Sequence, residues 1–286
     1  MRRSLLFPVV VAIFAACVPP MVRLPTPSAP AGPKVTSPNT AGPWTLSAAP
    51  LSHQVVISAH AVVTIAGDSS TRTDTVQATL SASYVWASSA HRRVDGLLAD
   101  FRVGVNVGVP STPAGLQLPR PFSAEVAPVG GPLGFLLPQP GAACTDPALS
   151  AAQYLHDAWF RMPDTLFVGQ EWADMVQTLT CRDRVPLRGT TIRKFRVLRG
   201  EIEDSAKVAV LVERASTGHL AGEGDQFGEH VVVAGESSGL VRYAVDPLSG
   251  RVLRATGNTS LTFSLTSRRR IQHVHQENQL TIRWVP

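Results

Sequence analysis

The chain predicts a mainly β fold: a long, curved antiparallel sheet, forming a half-barrel or open barrel with meander connections, and one covering α-helix near 148–160. Three observations predict it. Charged residues make up only 16% of the 286, while Val, Thr and Ser are abundant and 22 Gly and 23 Pro punctuate the chain, a composition of strands and turns. Between 71 and 86, Val76, Ala78, Leu80, Ala82, Tyr84 and Trp86 alternate with Thr and Ser, an unbroken period of two. Only one segment shows clear helical spacing, and it follows Asp146-Pro147, which suits a helix start.

The elements follow in chain order. Arg2 and Arg3 precede an apolar run from Leu5 to Ala16, the layout of a secretory signal and too short to cross a hydrocarbon core of about 30 Å comfortably. The run ends in Phe14-Ala15-Ala16-Cys17, which resembles the lipobox of bacterial lipoproteins, with Phe where Leu is usual. That resemblance implies a signal peptide over 1–16, cleavage before Cys17, and acylation of Cys17; several acyl chains anchor a protein stably. Removing Arg2 and Arg3 from the 26 basic residues leaves 24 against 21 acidic ones, a net charge of +3, too small to point to nucleic acid. Residues 17–43 then read as the lipidated Cys and a disordered tether, with eight prolines between Val18 and Pro43. Val18, where an Asp would favour inner-membrane retention, favours the outer membrane in a diderm host.

Residues 44–286 read as a single antiparallel β domain, with 44–143 and 144–286 as candidate similar halves, because Asp74-Thr75-Val76-Gln77 is echoed by Asp174-Met175-Val176-Gln177. Val55, Ile57, Ala59, Ala61, Val63 and Ile65 lie on one side of a strand; Gly67-Asp68-Ser69-Ser70 joins it to the 71–86 strand as a hairpin with long arms. From Gly104 to Ser150, nine prolines predict irregular chain with one short strand near Phe122–Val126. Leu149, Ala152, Leu155, Ala158 and Trp159 then share a helix face, and Pro163 ends it. Strands are expected near 171–181, 190–199, 206–214, 229–234, 239–245, 251–256, 259–267 and 279–285. Asp246-Pro247-Leu248-Ser249-Gly250-Arg251 is the clearest turn, with Gly250 free to take positive φ. The apolar phase is odd at Leu261, Phe263 and Leu265 but even at Leu280, Ile282 and Trp284, which demands a turn or bulge between Ser267 and Gln279.

Met162-Pro163-Asp164, Val168-Gly169-Gln170-Glu171-Trp172 and Tyr243-Ala244-Val245-Asp246-Pro247-Leu248-Ser249-Gly250-Arg251 resemble motifs of an uncharacterised bacterial lipoprotein family, over roughly 144–256. Those motifs mark turns, and the architecture is similar to lipoprotein carriers of the LolA and LolB type. The resemblance implies an envelope protein whose curved sheet binds an apolar ligand or a protein.

With Cys17 acylated, Cys144 and Cys181 remain as one pair, and an exported protein is expected to bond them. Gly235-Glu236-Ser237-Ser238-Gly239 satisfies Gly-x-Ser-x-Gly, and Asp246 and His273 follow in α/β-hydrolase order. The motif needs a strand-to-helix elbow, whereas Leu240–Val245 continues as strand, so a Gly- and Ser-rich hairpin turn is the expectation and a serine hydrolase using Ser237 the alternative. His273, His275 and Glu277 would share one strand face, and His219, Glu223, Asp225, Glu229 and His230 cluster in sequence; both sets read as solvated polar chain. Arg268, Arg269 and Arg270 read as a charged guard on a strand end. The five Trp residues read as core. No catalytic set, metal or cofactor is expected. The expected role is non-catalytic: a lipid-anchored protein of the cell envelope holding an apolar ligand or an envelope protein partner, with no nucleic acid; a purely structural or interaction lipoprotein is the other alternative beside the Ser237 hydrolase.

Overall fold

A computed structural model describes residues 39–46, 51–67, 70–86, 92–106, 108–126, 133–136, 144, 154–158, 160–182, 185–204, 207–226 and 228–285. Residues 1–38, which hold the expected signal peptide, Cys17 and most of the expected tether, lie outside the described residues, as does most of the segment expected to be helical. Ser37–Pro286 forms one compact unit.

Ten strands build one curved antiparallel sheet: β8 (Glu171–Arg182), β9 (Val185–Asp204), β10 (Lys207–Gln226), β11 (Glu229–Val245), β12 (Val252–Thr266), β13 (Ile271–Trp284), then β2 (Leu51–Ala66), β3 (Thr71–Trp86), β4 (Arg92–Gly104) and β5 (Arg120–Val126). The short β6 (Leu133–Leu136) touches both edges. It pairs antiparallel with β5 through Glu125 and Val126, and parallel with β8 through Val176 and Gln177, so hydrogen-bonded neighbours run full circle. The circle rests on that one short strand. The β4–β5 pairing ends at Leu98, and beyond it Val103 of β4 exchanges two backbone hydrogen bonds with Ser111, while β8 is paired on its β6 side, among the described residues, at Val176 and Gln177. A separate pair, β1 (Trp44–Thr45) with β7 (Thr165–Leu166), is not hydrogen-bonded to the ring, and its Trp44 and Leu166 pack into the larger apolar cluster. One four-residue helix is described, α1 (Leu155–Ala158).

The strands are amphipathic, with the apolar face inward. Val55, Ile57, Ala59, Ala61 and Val63 of β2 are all at most 5% exposed. The outer face carries ion pairs such as Arg242 with Glu213 and Arg254 with Glu201 and Glu203. Two apolar clusters fill different levels of the interior. The larger brings α1 and Phe160 against Ile57, Leu80, Phe195 and Tyr243. The smaller packs Val63, Leu187, Val233, Phe263 and Val274 near the turn that joins β12 to β13.

Several sequence expectations are corrected. The strands of the second half are longer: β9 and β10 have 20 residues each and β11 has 17. The breaks expected at 235–238 and 257–258 are absent, and Gly235-Glu236-Ser237-Ser238-Gly239 is the middle of β11, not a turn. Its glycines answer to close packing: a Cβ on Gly235 would stand 2.2 Å from the Phe263 Cβ across β12. His219, Glu223 and Asp225 belong to β10, not to a loop. The region 104–150 contains β6 besides the expected strand near 122–126. The strand β4 had no sequence signal because a register shift between Thr79 and Leu80 leaves Ala99 unopposed, so inward residues change from even, at Leu98, to odd, at Phe101 and Val103.

Other expectations hold. The 51–66 and 71–86 arms form the long hairpin, closed by Gly67 N donating to Ser70 O. Asp246 accepts from Gly250 N and Gly250 has φ of 68°. The phase change between Leu265 and Leu280 is absorbed by the turn Ser267–Arg270. Trp44 is buried, Trp172 packs against the core and Trp284 lies under Arg251, whose guanidinium is 4.4 Å from its ring centroid. Trp159 and the Trp86 side chain lie outside the described residues.

Cys144 and Cys181 are disulfide-bonded, with Cα atoms 4.9 Å apart, and the bond ties the chain ahead of α1 to the end of β8. It closes a loop of 37 residues. On the chain-entropy account that stabilises the fold by about 4 kcal/mol. The Cys144→Ser, Cys181→Ser double variant is therefore expected to lose most of that amount in urea unfolding, with wild type under reducing conditions losing the same.

Candidate functional site

A cavity of about 360 Å3 lies within the sheet between the two apolar clusters. Its position follows from residue size along the strands. At this level the inward positions carry small or polar residues, among them Thr178, Thr191, Ser216, Ser237, Thr259 and Asn278, where the levels on either side carry Val, Leu and Phe. Val76 of β3, Phe101 of β4, and Val176 and Thr178 of β8 also line it.

One end of the cavity is built by two buried arginines. Arg193 of β9 and Arg214 of β10 are each 2% exposed. The register pairs Arg193 with Ser216 and Phe195 with Arg214, which places them diagonally on one face. Arg193 makes a bidentate pair with Asp174, Nε to Oδ1 and Nη2 to Oδ2, both 2.6 Å, and its Nη1 donates to the His156 carbonyl. Arg214 Nη1 donates to Asp157 Oδ1 at 2.5 Å. A four-residue helix has little stability of its own. These two arginines hold α1 in place, and Phe160, stacked on Phe195 at 4.8 Å and tilted against Tyr243 at 4.8 Å, continues the support.

Each arginine is matched by a carboxylate, so the group is close to neutral as a whole. Not every donor is used. Among the described residues, Arg214 Nε and the Tyr243 hydroxyl are buried without a hydrogen-bond partner. On the far wall Gln276 Nε2 donates to Asn278 Oδ1 at 2.6 Å, and Asn278 Nδ2 donates to Thr259 Oγ1 at 3.0 Å, a short chain of amide and hydroxyl groups facing inward.

Burial, and then the positive charges of Arg193 and Arg214, push the His156 imidazole down to about 3, and burial pushes the Tyr154 phenol up to about 12. His156 is therefore neutral in the folded chain at neutral pH. Because the unfolded imidazole takes a proton near 6.5, its contribution to stability is complete above that pH and declines as pH falls from about 6.5 toward 3, by at most about 1.4 kcal/mol per unit. The stability difference between wild type and His156→Gln is expected to narrow over that range, measured by denaturant unfolding at a series of pH values; a difference independent of pH would contradict the neutral buried imidazole.

The residues singled out in sequence are placed as follows. Ser237 faces the cavity from the middle of β11, opposite Gly218, while His273 is on the exposed outer face of β13 and Asp246 is in the β11–β12 turn; the three are not brought together. His275 also faces outward, its Nε2 2.7 Å from Glu277. His230 lies 3.5 Å from Asp225 and 3.8 Å from Glu223 on the outside of β10 and β11. Among the described residues no group of three or more His, Cys, Asp and Glu is arranged to hold a metal ion. Arg269 of the arginine turn pairs with Glu229 at 3.0 Å.

Sequence reasoning missed the arginine pair. A signal existed. In the alternation Val210, Val212, Arg214 and in Arg193, Phe195, Val197, a cation occupies a position of apolar phase, which in a half-buried strand requires an internal partner. No known protein family, curated protein or solved structure matches this chain.

Proposed function

We propose that the chain is a non-enzymatic, lipid-anchored cell-envelope protein, held to the membrane through Cys17 on its Pro-rich tether, whose rolled sheet binds a small ligand in its interior. The observation that carries this reading is the cavity itself. Its volume of about 360 Å3 is in the range of small-molecule sites, roughly 300–1,000 Å3, and the space is retained between two well-packed apolar clusters in a chain that could have filled it with larger side chains. Among the described residues the outer face bears ion pairs, Arg242 with Glu213 and Arg254 with Glu201 and Glu203, which agrees with a body standing off the membrane on a tether. The outer membrane is the favoured location in a diderm host.

The test is extraction. Full-length protein, purified in detergent from an envelope-processing host, is expected to release a small molecule detectable by mass spectrometry, and the cavity-filling variant Ser237→Trp is expected to release none while melting as a folded protein. Wild type that releases no molecule, gives no fluorescence response to an apolar dye and shows no saturable calorimetric binding of small neutral solutes would overturn the reading.

A further inference from the structure

We infer that the cavity takes an uncharged, hydroxyl-rich ligand of sugar size. The inference rests on the interior-binding reading above and narrows it. Charge balance excludes the simplest alternative, an anion on the arginines: Arg193 already has Nε and both Nη groups committed, to Asp174 and to the His156 carbonyl, and Arg214 is neutralised by Asp157. A second buried anion would have no free counter-charge to offset its desolvation. What the cavity offers instead is neutral hydrogen bonding. Thr191, Ser216 and Ser237 present hydroxyls that donate or accept, Gln276 and Asn278 present amides, and Arg214, only 2% exposed, has an Nε without a partner among the described residues. Val76, Phe101, Val176 and Leu261 supply apolar surface beside these groups, matching a ring that has hydroxyls at its edge and C–H bonds on its face.

Binding of glucose, maltose and N-acetylglucosamine to the full chain, in a zwitterionic detergent free of sugar, tests this by calorimetry. At least one is expected to bind saturably, and more tightly than its charged counterparts glucuronate and glucosamine. Ser237→Ala and Thr191→Val are each expected to weaken binding about tenfold, the worth of one hydrogen bond, while Thr217→Val on the outer face of β10 leaves it unchanged. Octyl glucoside against glucose separates two sources of the same chemistry: tighter binding of the alkylated form identifies the sugar head of a glycolipid, equal binding a free sugar. The inference is overturned if none of the three neutral sugars binds, if a charged sugar binds as well or better, or if both cavity variants bind as wild type. A lipid without sugar recovered by extraction would overturn it and leave the interior-binding reading standing; a protein that releases no molecule and takes up neither apolar dye nor sugar would remove both.

Discussion

Asp174→Ala is expected to destabilise the protein by about 3–5 kcal/mol, the largest effect of any single substitution considered for the folded body. The carboxylate holds the Arg193 guanidinium through two bonds of 2.6 Å, and both side chains are 2% exposed. Removing it leaves a buried cation without its counter-charge, which costs far more than the net worth of the pair, since assembling the pair already required desolvating both groups. Asp174 also accepts from Arg161 N at 3.3 Å, and Arg193 holds the His156 carbonyl, so the loss spreads to the helix and to the chain that follows it. For a folded body of this size the melting temperature is expected to fall by about 10 °C or more. The double variant Asp174→Leu, Arg193→Met replaces the pair by apolar groups and is expected to recover most of the loss. Urea unfolding of both variants checks this; a double variant as unstable as the single one would show that the pair contributes more than mutual neutralisation.

Cys17→Ser is expected to abolish membrane attachment. In the proposed reading wild type incorporates radiolabelled palmitate and partitions into detergent, while the variant does neither and accumulates as precursor or is released by another peptidase. Each buried methylene of an acyl chain contributes about 0.8 kcal/mol, and several chains together anchor a protein far more strongly than a mature charge near +3 can. Equal labelling of wild type and variant, or no labelling of either in a host that processes lipoproteins, would defeat the anchor.

The sequence by itself determined the fold class and most of its strands, because an amphipathic strand writes its buried face into every second residue: the 51–66 and 71–86 hairpin, the turn at Asp246–Arg251 and the phase change before β13 were all legible that way. The Cys144–Cys181 bond was legible as well, since only two thiols remain under the proposal that Cys17 is acylated. Three things depended on tertiary structure. The strands run through Gly235–Gly239 and past Gly257 because the facing strand needs the room a Cβ would occupy, a requirement set by a neighbour distant in sequence. The strand β4 escaped notice because a bulge reverses its phase. The cavity was hidden for a related reason: Thr178, Thr191, Ser216, Ser237, Thr259 and Asn278 each read locally as polar residues of a strand, and only the registers of β8 to β13 bring them to one level inside the sheet, beside two arginines whose partners lie on α1 and β8.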